Sequence, residues 1–213
     1  MAIIVESKGG KFEKCPEGVH FAVCVGIWDL GTQPSELYEP TRQVMFSWEI
    51  VGDESPSGEP YFVSQSFTMS LHEKSKLRPK LEAWRGKPFS EQEAKRYDLT
   101  ERLGKPCQIQ VVHADGRNGK SYANVTTLMQ LPKGVPPIQA KSALTQYSIT
   151  DGENFPEGMP DFVKDRIRKS HQFTDAKGVE ARKDEAYAAF SGGSPPARSS
   201  AGPLPWEDAS PAY

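Results

Sequence analysis

Between residues 18 and 131 the chain repeatedly alternates apolar and polar side chains with a period of two, interrupted once by a helical spacing. Val19, Phe21, Val23, Val25 and Ile27 alternate with His20, Ala22, Cys24, Gly26 and Trp28. Such alternation marks strands, because successive side chains in an extended chain point to opposite faces. Gly26 interrupts the pattern where a bulge or bend is expected. Val44, Phe46, Trp48 and Ile50 alternate with Met45, Ser47 and Glu49 in a second strand, reached through a Pro-containing loop from Gly31 to Thr41. After a turn from Gly52 to Gly58, Tyr61 to Ser70 forms a third. Here Phe62, Ser64, Ser66 and Thr68 share one face, and Val63, Phe67 and Met69 the other.

The period then changes. Leu77, Leu81 and Trp84 stand at i, i+4 and i+7, a helical stripe that contains Pro79 and is closed by Gly86. Ser90 and Glu93 form a capping box for a short second helix. Two further strands follow, on Cys107, Ile109 and Val111 and on Tyr122 to Thr127. Asp115-Gly116 and Asn118-Gly119 supply hairpin-turn chemistry between them. Three strands, a helix and two strands is the order of an OB-like five-stranded barrel, with the helix between strands 3 and 4. The expected class is therefore mainly β with minor α.

The 18 prolines and 18 glycines are concentrated elsewhere. Residues 132–160 read as a linker or wrapping segment. Pro160 to Ser170 forms an amphipathic helix, Ala181 to Phe190 is a second helical candidate, and Ser191 onward is too poor in large apolar residues to order itself. The expected organisation is an arm over 1–17, a nucleic-acid-binding barrel over 18–134, a linker and helical extension over 135–190, and a disordered acidic-aromatic tail over 191–213.

No apolar run approaches the roughly 20 residues that span a bilayer, and no signal-peptide pattern opens the chain. The three cysteines lack CxxC spacing and point to a reducing compartment with no disulfide framework. Enzyme signatures fail on particular residues. Gly119-Lys120-Ser121 imitates the end of a phosphate-binding loop, but Ala114 stands where that loop needs glycine, and a strand follows. His72-Glu73 would begin a zinc-protease motif, but Lys76 replaces its second histidine. The expectation is no enzyme, no catalytic residue, no metal and no cofactor.

Net charge is -2, yet Lys74, Lys76, Arg78, Lys80, Arg85 and Lys87 are opposed locally only by Glu82. A charge run of this kind is either a solvated helix face or a source of local field. Arg42, Arg117 and Lys120 lie near strand ends, and Trp28, Phe62 and Tyr122 occupy the strand faces away from the expected core. Basic side chains that track phosphates and aromatic faces on which bases stack are the two requirements for sequence-tolerant single-strand binding. A one-residue register slip would put Trp48 and Tyr61 outward instead. In the tail, Trp206, Glu207, Asp208 and Tyr213 make a short acidic-aromatic peptide able to dock on a partner or on the chain's own basic surface.

Ser70 to Arg78 and Leu81 to Phe89, with Leu103 to Cys107, Tyr122 to Val125, Leu131 to Gly134 and the helix from Pro160 to Ser170, resemble phage-encoded single-stranded DNA-binding proteins of replication and recombination. The resemblance covers about residues 10–170. It implies an OB-like fold, a phage origin with action in the host cytoplasm, and a role in DNA metabolism. The tail is similar in design to those with which bacterial single-strand binders recruit replication proteins, though it ends in Tyr213 and carries two acidic residues. The expected partners are single-stranded DNA and phage or host replication and recombination proteins. Two other readings stay open: a protein-interaction module without DNA affinity, and a metal-dependent DNA-processing enzyme. Homo-oligomerisation is also open.

Overall fold

The computed structural model describes residues 13–35, 38–116, 119 and 121–175. Six strands form one sheet: β1 (Gly18–Gln33), β2 (Thr41–Glu54), β3 (Pro60–Thr68), β4 (Pro106–Asp115), β5 (Ser121–Met129) and β6 (Thr145–Tyr147). Five run antiparallel in the order β3-β2-β1-β4-β5, and β6 adds in parallel to β1. The helices are α1 (Leu77–Arg85), α2 (Glu91–Lys95) and α3 (Asp161–Arg168).

The expected helix between the third and fourth strands is α1, with Leu77, Leu81 and Trp84 buried and Gly86 capping it at a φ of 73°. The expected capping box on α2 is also formed. The five-stranded barrel is not: the sheet has six strands and is open. β3 and β5 end its hydrogen-bonded path and do not pair with each other. Helix α1 fills the seam. Lys80 Nζ, beside the Phe67 ring of β3, donates to the Val125 and Thr126 carbonyls of β5 at 3.1 and 2.8 Å. The Trp84 indole N–H donates to the Pro106 carbonyl at 2.9 Å, tying the helix to β4.

Strand β1 is longer than its alternation indicates, because it changes phase within itself. Its register against β2 shifts between Cys24 and Gly26 and again between Asp29 and Gly31. Each shift is a bulge, which inserts one residue and reverses which side chains face inward. Ala22 and Cys24 face the main core before the first bulge, and Ile27 after it. Val19 and Phe21, expected inside, therefore face out. Gly26 sits at the bulge because nothing larger fits: a Cβ there would meet the Trp28 ring at 2.4 Å.

The main core lies on the concave face, where Phe46 and Trp48 stack with ring centres 5.7 Å apart and Trp84 packs against both. A second cluster forms on the outer face. Trp28, Leu30 and Met45 are covered there by Tyr147, Met159, Val163, Ile167 and Phe173. The expected wrapping segment thus folds back across the sheet as a strap. α3 is the expected amphipathic helix, and Val163 and Ile167 are its buried side. Arg166 extends from it to Ser66 Oγ and Gln43 Oε1 at 3.2 and 2.8 Å.

Candidate nucleic-acid interface

Of the three aromatics expected to face outward, Phe62 and Tyr122 do so, 38% and 45% exposed. Trp28 does not serve as expected. It lies on the outer face, but the strap leaves it only 3% exposed and its indole N–H donates to Thr145 Oγ1 at 3.1 Å. The alternatives fail too: Trp48 is fully buried, and Tyr61 packs against the main core.

The six-residue basic run divides in two. Lys74, Lys76 and Lys87 are exposed, although Lys87 lies 3.4 Å from Glu93. The other three are built into the fold. Arg78 pairs with Glu82 at 3.0 Å and donates to the Leu71 and Phe89 carbonyls. Lys80 occupies the seam, where burial lowers its pKa. The Arg85 side chain is 6% exposed, pairs with Glu93 at 2.7 Å, and lies over the Phe89 ring at 4.0 Å and the Tyr97 ring at 5.0 Å. In the structure these three spend their charge on contacts within the fold. The cause is chemical: an Arg or Lys stem packs on apolar surface while its head finds carbonyls or carboxylates within reach.

Arg42 is half exposed but committed to Asp29, which also accepts the Gly31 N–H at 3.0 Å. That pair raises the Arg42 pKa. Both residues line a cavity of about 420 Å³ with Ile27, Val44, Met69, Tyr97, Asp98, Tyr147 and Asp151. Three carboxylates and one guanidinium line it, a balance of charge that disfavours phosphate. Asp98 is held below the usual carboxylate range by the Thr100 hydroxyl and amide. Burial, aided by Asp151, pushes the Tyr147 phenol up to about 12.

Arg117, Lys120, Trp206, Glu207, Asp208 and Tyr213 lie outside the described residues, as does the helical candidate from Ala181 to Phe190. Among the described residues no group of three His, Cys, Asp or Glu side chains could hold a metal ion, and no helix is long and apolar enough to cross a membrane. Cys15, Cys24 and Cys107 are buried free thiols.

Sequence reasoning missed Phe21, which it placed in the core. The signal that could have found it is Gly26, since a bulge there moves the preceding residues of β1 to the opposite face. No family model matches the chain, and no curated protein matches it.

Proposed function

We propose that the chain is a noncatalytic single-stranded DNA-binding protein with an open, OB-like sheet, acting in phage replication or recombination in the host cytoplasm. The observation that carries this reading is the strand order β3-β2-β1-β4-β5 with α1 set into the seam between the end strands. That order agrees with the strand order of an OB barrel and supports the reading, with a helix at the seam between the end strands. Exposed Phe62 and Tyr122 supply faces for bases, and exposed Lys74, Lys76 and Lys87 supply charge for phosphates. The resemblance of residues 70–89 to phage single-strand binders supports the same assignment. The tail, from Pro203 to Tyr213, recruits partner proteins or competes with DNA.

The test is fluorescence anisotropy of labelled oligothymidylate. Intrinsic fluorescence is a poor reporter of the sheet surface, because Trp28, Trp48 and Trp84 are buried and the fourth tryptophan, Trp206, belongs to the tail. Binding that weakens steeply with salt and prefers single strands to duplex supports the proposal. No binding at low salt, or stronger binding to duplex, overturns it.

The protein-module reading draws on the acidic cavity at Asp29, Asp98 and Asp151, whose charge suits a basic peptide rather than DNA. A partner retained through nuclease treatment, together with no oligonucleotide binding, would favour it.

A further inference from the structure

The strap covers only part of the outer face, and its border is sharp. Glu49 and Val23 stand opposite each other in the register and are 1% and 2% exposed. The Glu49 carboxylate accepts the Lys141 and Ser142 amides at 2.7 and 2.9 Å, which fixes the strap along this row. In the next row, Val51, Phe21, Gln108 and Met129 lie side by side across β2, β1, β4 and β5. Beyond it come Val19, Gln110 and Thr127, then Val112 beside Asn124, then Ala114 beside Tyr122. No residue in these rows is charged. Val19 is 58% exposed, and Val112 and Met129 are nearly two-fifths exposed.

We propose that this uncharged outer face of β1, β4 and β5 is the surface on which the bases of single-stranded DNA lie, with Phe21 as a stacking platform between Phe62 and Tyr122. The proposal rests on the single-strand reading and deepens it by placing the ligand.

The chemistry of the face selects bases. Phosphates need cations, and among the described residues none stands in these rows. Base faces need apolar and aromatic surface, which Phe21, Val19 and Met129 provide. Base edges need groups that both donate and accept, and the amides of Gln108, Gln110 and Asn124 do both. Charge sits at the rim. Exposed Lys105 directly precedes β4, and exposed Lys133 lies in the turn beyond the end of β5; the start of β4 and the end of β5 stand at the same end of the sheet. Asp53 and Asp115 stand toward the opposite end, with Asp53 paired to His20. The phosphate backbone therefore runs at the rim, with Lys105 and Lys133 as its cations among the described residues, while the bases lean onto the sheet.

Gln110→Glu tests the placement. It is isosteric at an exposed site, and a glutamate keeps the acceptor that the Thr127 hydroxyl uses at 3.1 Å. Gln92→Glu, exposed on α2, makes the same change in net charge elsewhere. Anisotropy with labelled oligothymidylate should weaken roughly tenfold for Gln110→Glu, the loss of about one stacked base, and little for Gln92→Glu. In a separate protein that also carries Trp206→Phe, Met129→Trp places an indole on the face, and oligothymidylate should quench it beyond any change in the Trp206→Phe chain alone. Thermal midpoints close to that of the unaltered chain certify folding. If the unaltered chain binds DNA while Gln110→Glu matches Gln92→Glu and the Met129→Trp indole is not quenched, the placement is overturned and the single-strand reading stands. If the unaltered chain binds no DNA at low salt, both fall. If Gln110→Glu instead dissociates a dimer and leaves DNA affinity intact, the face joins two copies of the chain, and the placement is again overturned.

Discussion

The carboxylate of Glu49 is buried on β2 and accepts the backbone N–H of Lys141, a residue 92 positions later in the chain. With the neighbouring Ser142 amide, it is a two-point attachment of the strap to the sheet. Glu49→Ala leaves both amides without their acceptor in an enclosed place. A loss of about 1–3 kcal/mol is expected, read as a lower urea midpoint. Glu49→Gln, which keeps one carbonyl acceptor, should lose less.

Gly26→Ala is expected to destabilise the chain despite adding a single methyl group. Its Cβ would fall 2.4 Å from Cζ2 of Trp28, a ring enclosed by the strap with little room to shift. Overpacking of this kind costs about 1–3 kcal/mol, and thermal unfolding measures it. Relief of the loss by Trp28→Phe in the same chain would identify the ring contact as the cause.

Acid should weaken the chain in part through Glu93. The Ser90 amide and then the Arg85 guanidinium hold its carboxyl at about 2, below the ordinary glutamate value. A carboxyl whose folded pKa is depressed stabilises the fold above its unfolded pKa, and that contribution is lost as pH falls toward the folded value. The window is from about 4.5 down to about 2. Urea midpoints measured through it should fall less steeply for Glu93→Gln than for the unaltered chain.

The thiols should be silent in the native protein. Cys24 and Cys107 are driven well above the ordinary thiol value by burial, and Cys15 is pushed up to about 11 by burial and then by Asp53. The thiolate is the reactive form. A chromogenic disulfide reagent at pH 8 should therefore react at the rate of unfolding, and with all three cysteines at once in denaturant.

The two halves of the basic run should separate in binding experiments. Removing the exposed charges with Lys74→Gln and Lys76→Gln should weaken oligonucleotide binding without moving the thermal midpoint. The slope of log affinity against log salt should flatten by about 0.7 for each lost phosphate contact. Arg85→Gln should instead lower the midpoint, because its guanidinium lies between Phe89, Tyr97 and Glu93.

The alternation made β2, β3 and β4 legible because each keeps one phase over most of its buried length, and the helical stripe made α1 legible; β5 was legible as a strand, but its phase changes at the register shift between Val125 and Thr127, which puts Leu128 rather than Thr127 in the core. β1 was readable as a strand, and Gly26 marked its first bulge, but its facing was not read from that mark, because the alternation was carried through Gly26 in one phase and the second shift, between Asp29 and Gly31, was not marked. Trp28 was placed on the correct face. What covers it comes from residues 145–173, and contacts at that separation have no local periodicity. The same limit applies to Arg78, Lys80 and Arg85. A positive charge can be counted from sequence, but whether it meets a phosphate or a carbonyl depends on which strand end lies beside it. The open seam was likewise beyond reach, because it depends on the distance between two strands more than 50 positions apart.

The division of β1 between partners has a consequence for how the chain is made. Its first half, Gly18 to Val23, pairs with β4, while Gly26 to Trp28 pair with β6. A ribosome that has released β5 has therefore produced a sheet with one stretch of strand still unclaimed, flanked by bare Trp28, Leu30 and Met45. Unclaimed backbone beside apolar surface invites pairing with another chain. A version cut after Gly134 should accordingly precipitate where the longer chain stays in solution, so that the strap acts first as a guard against aggregation during synthesis.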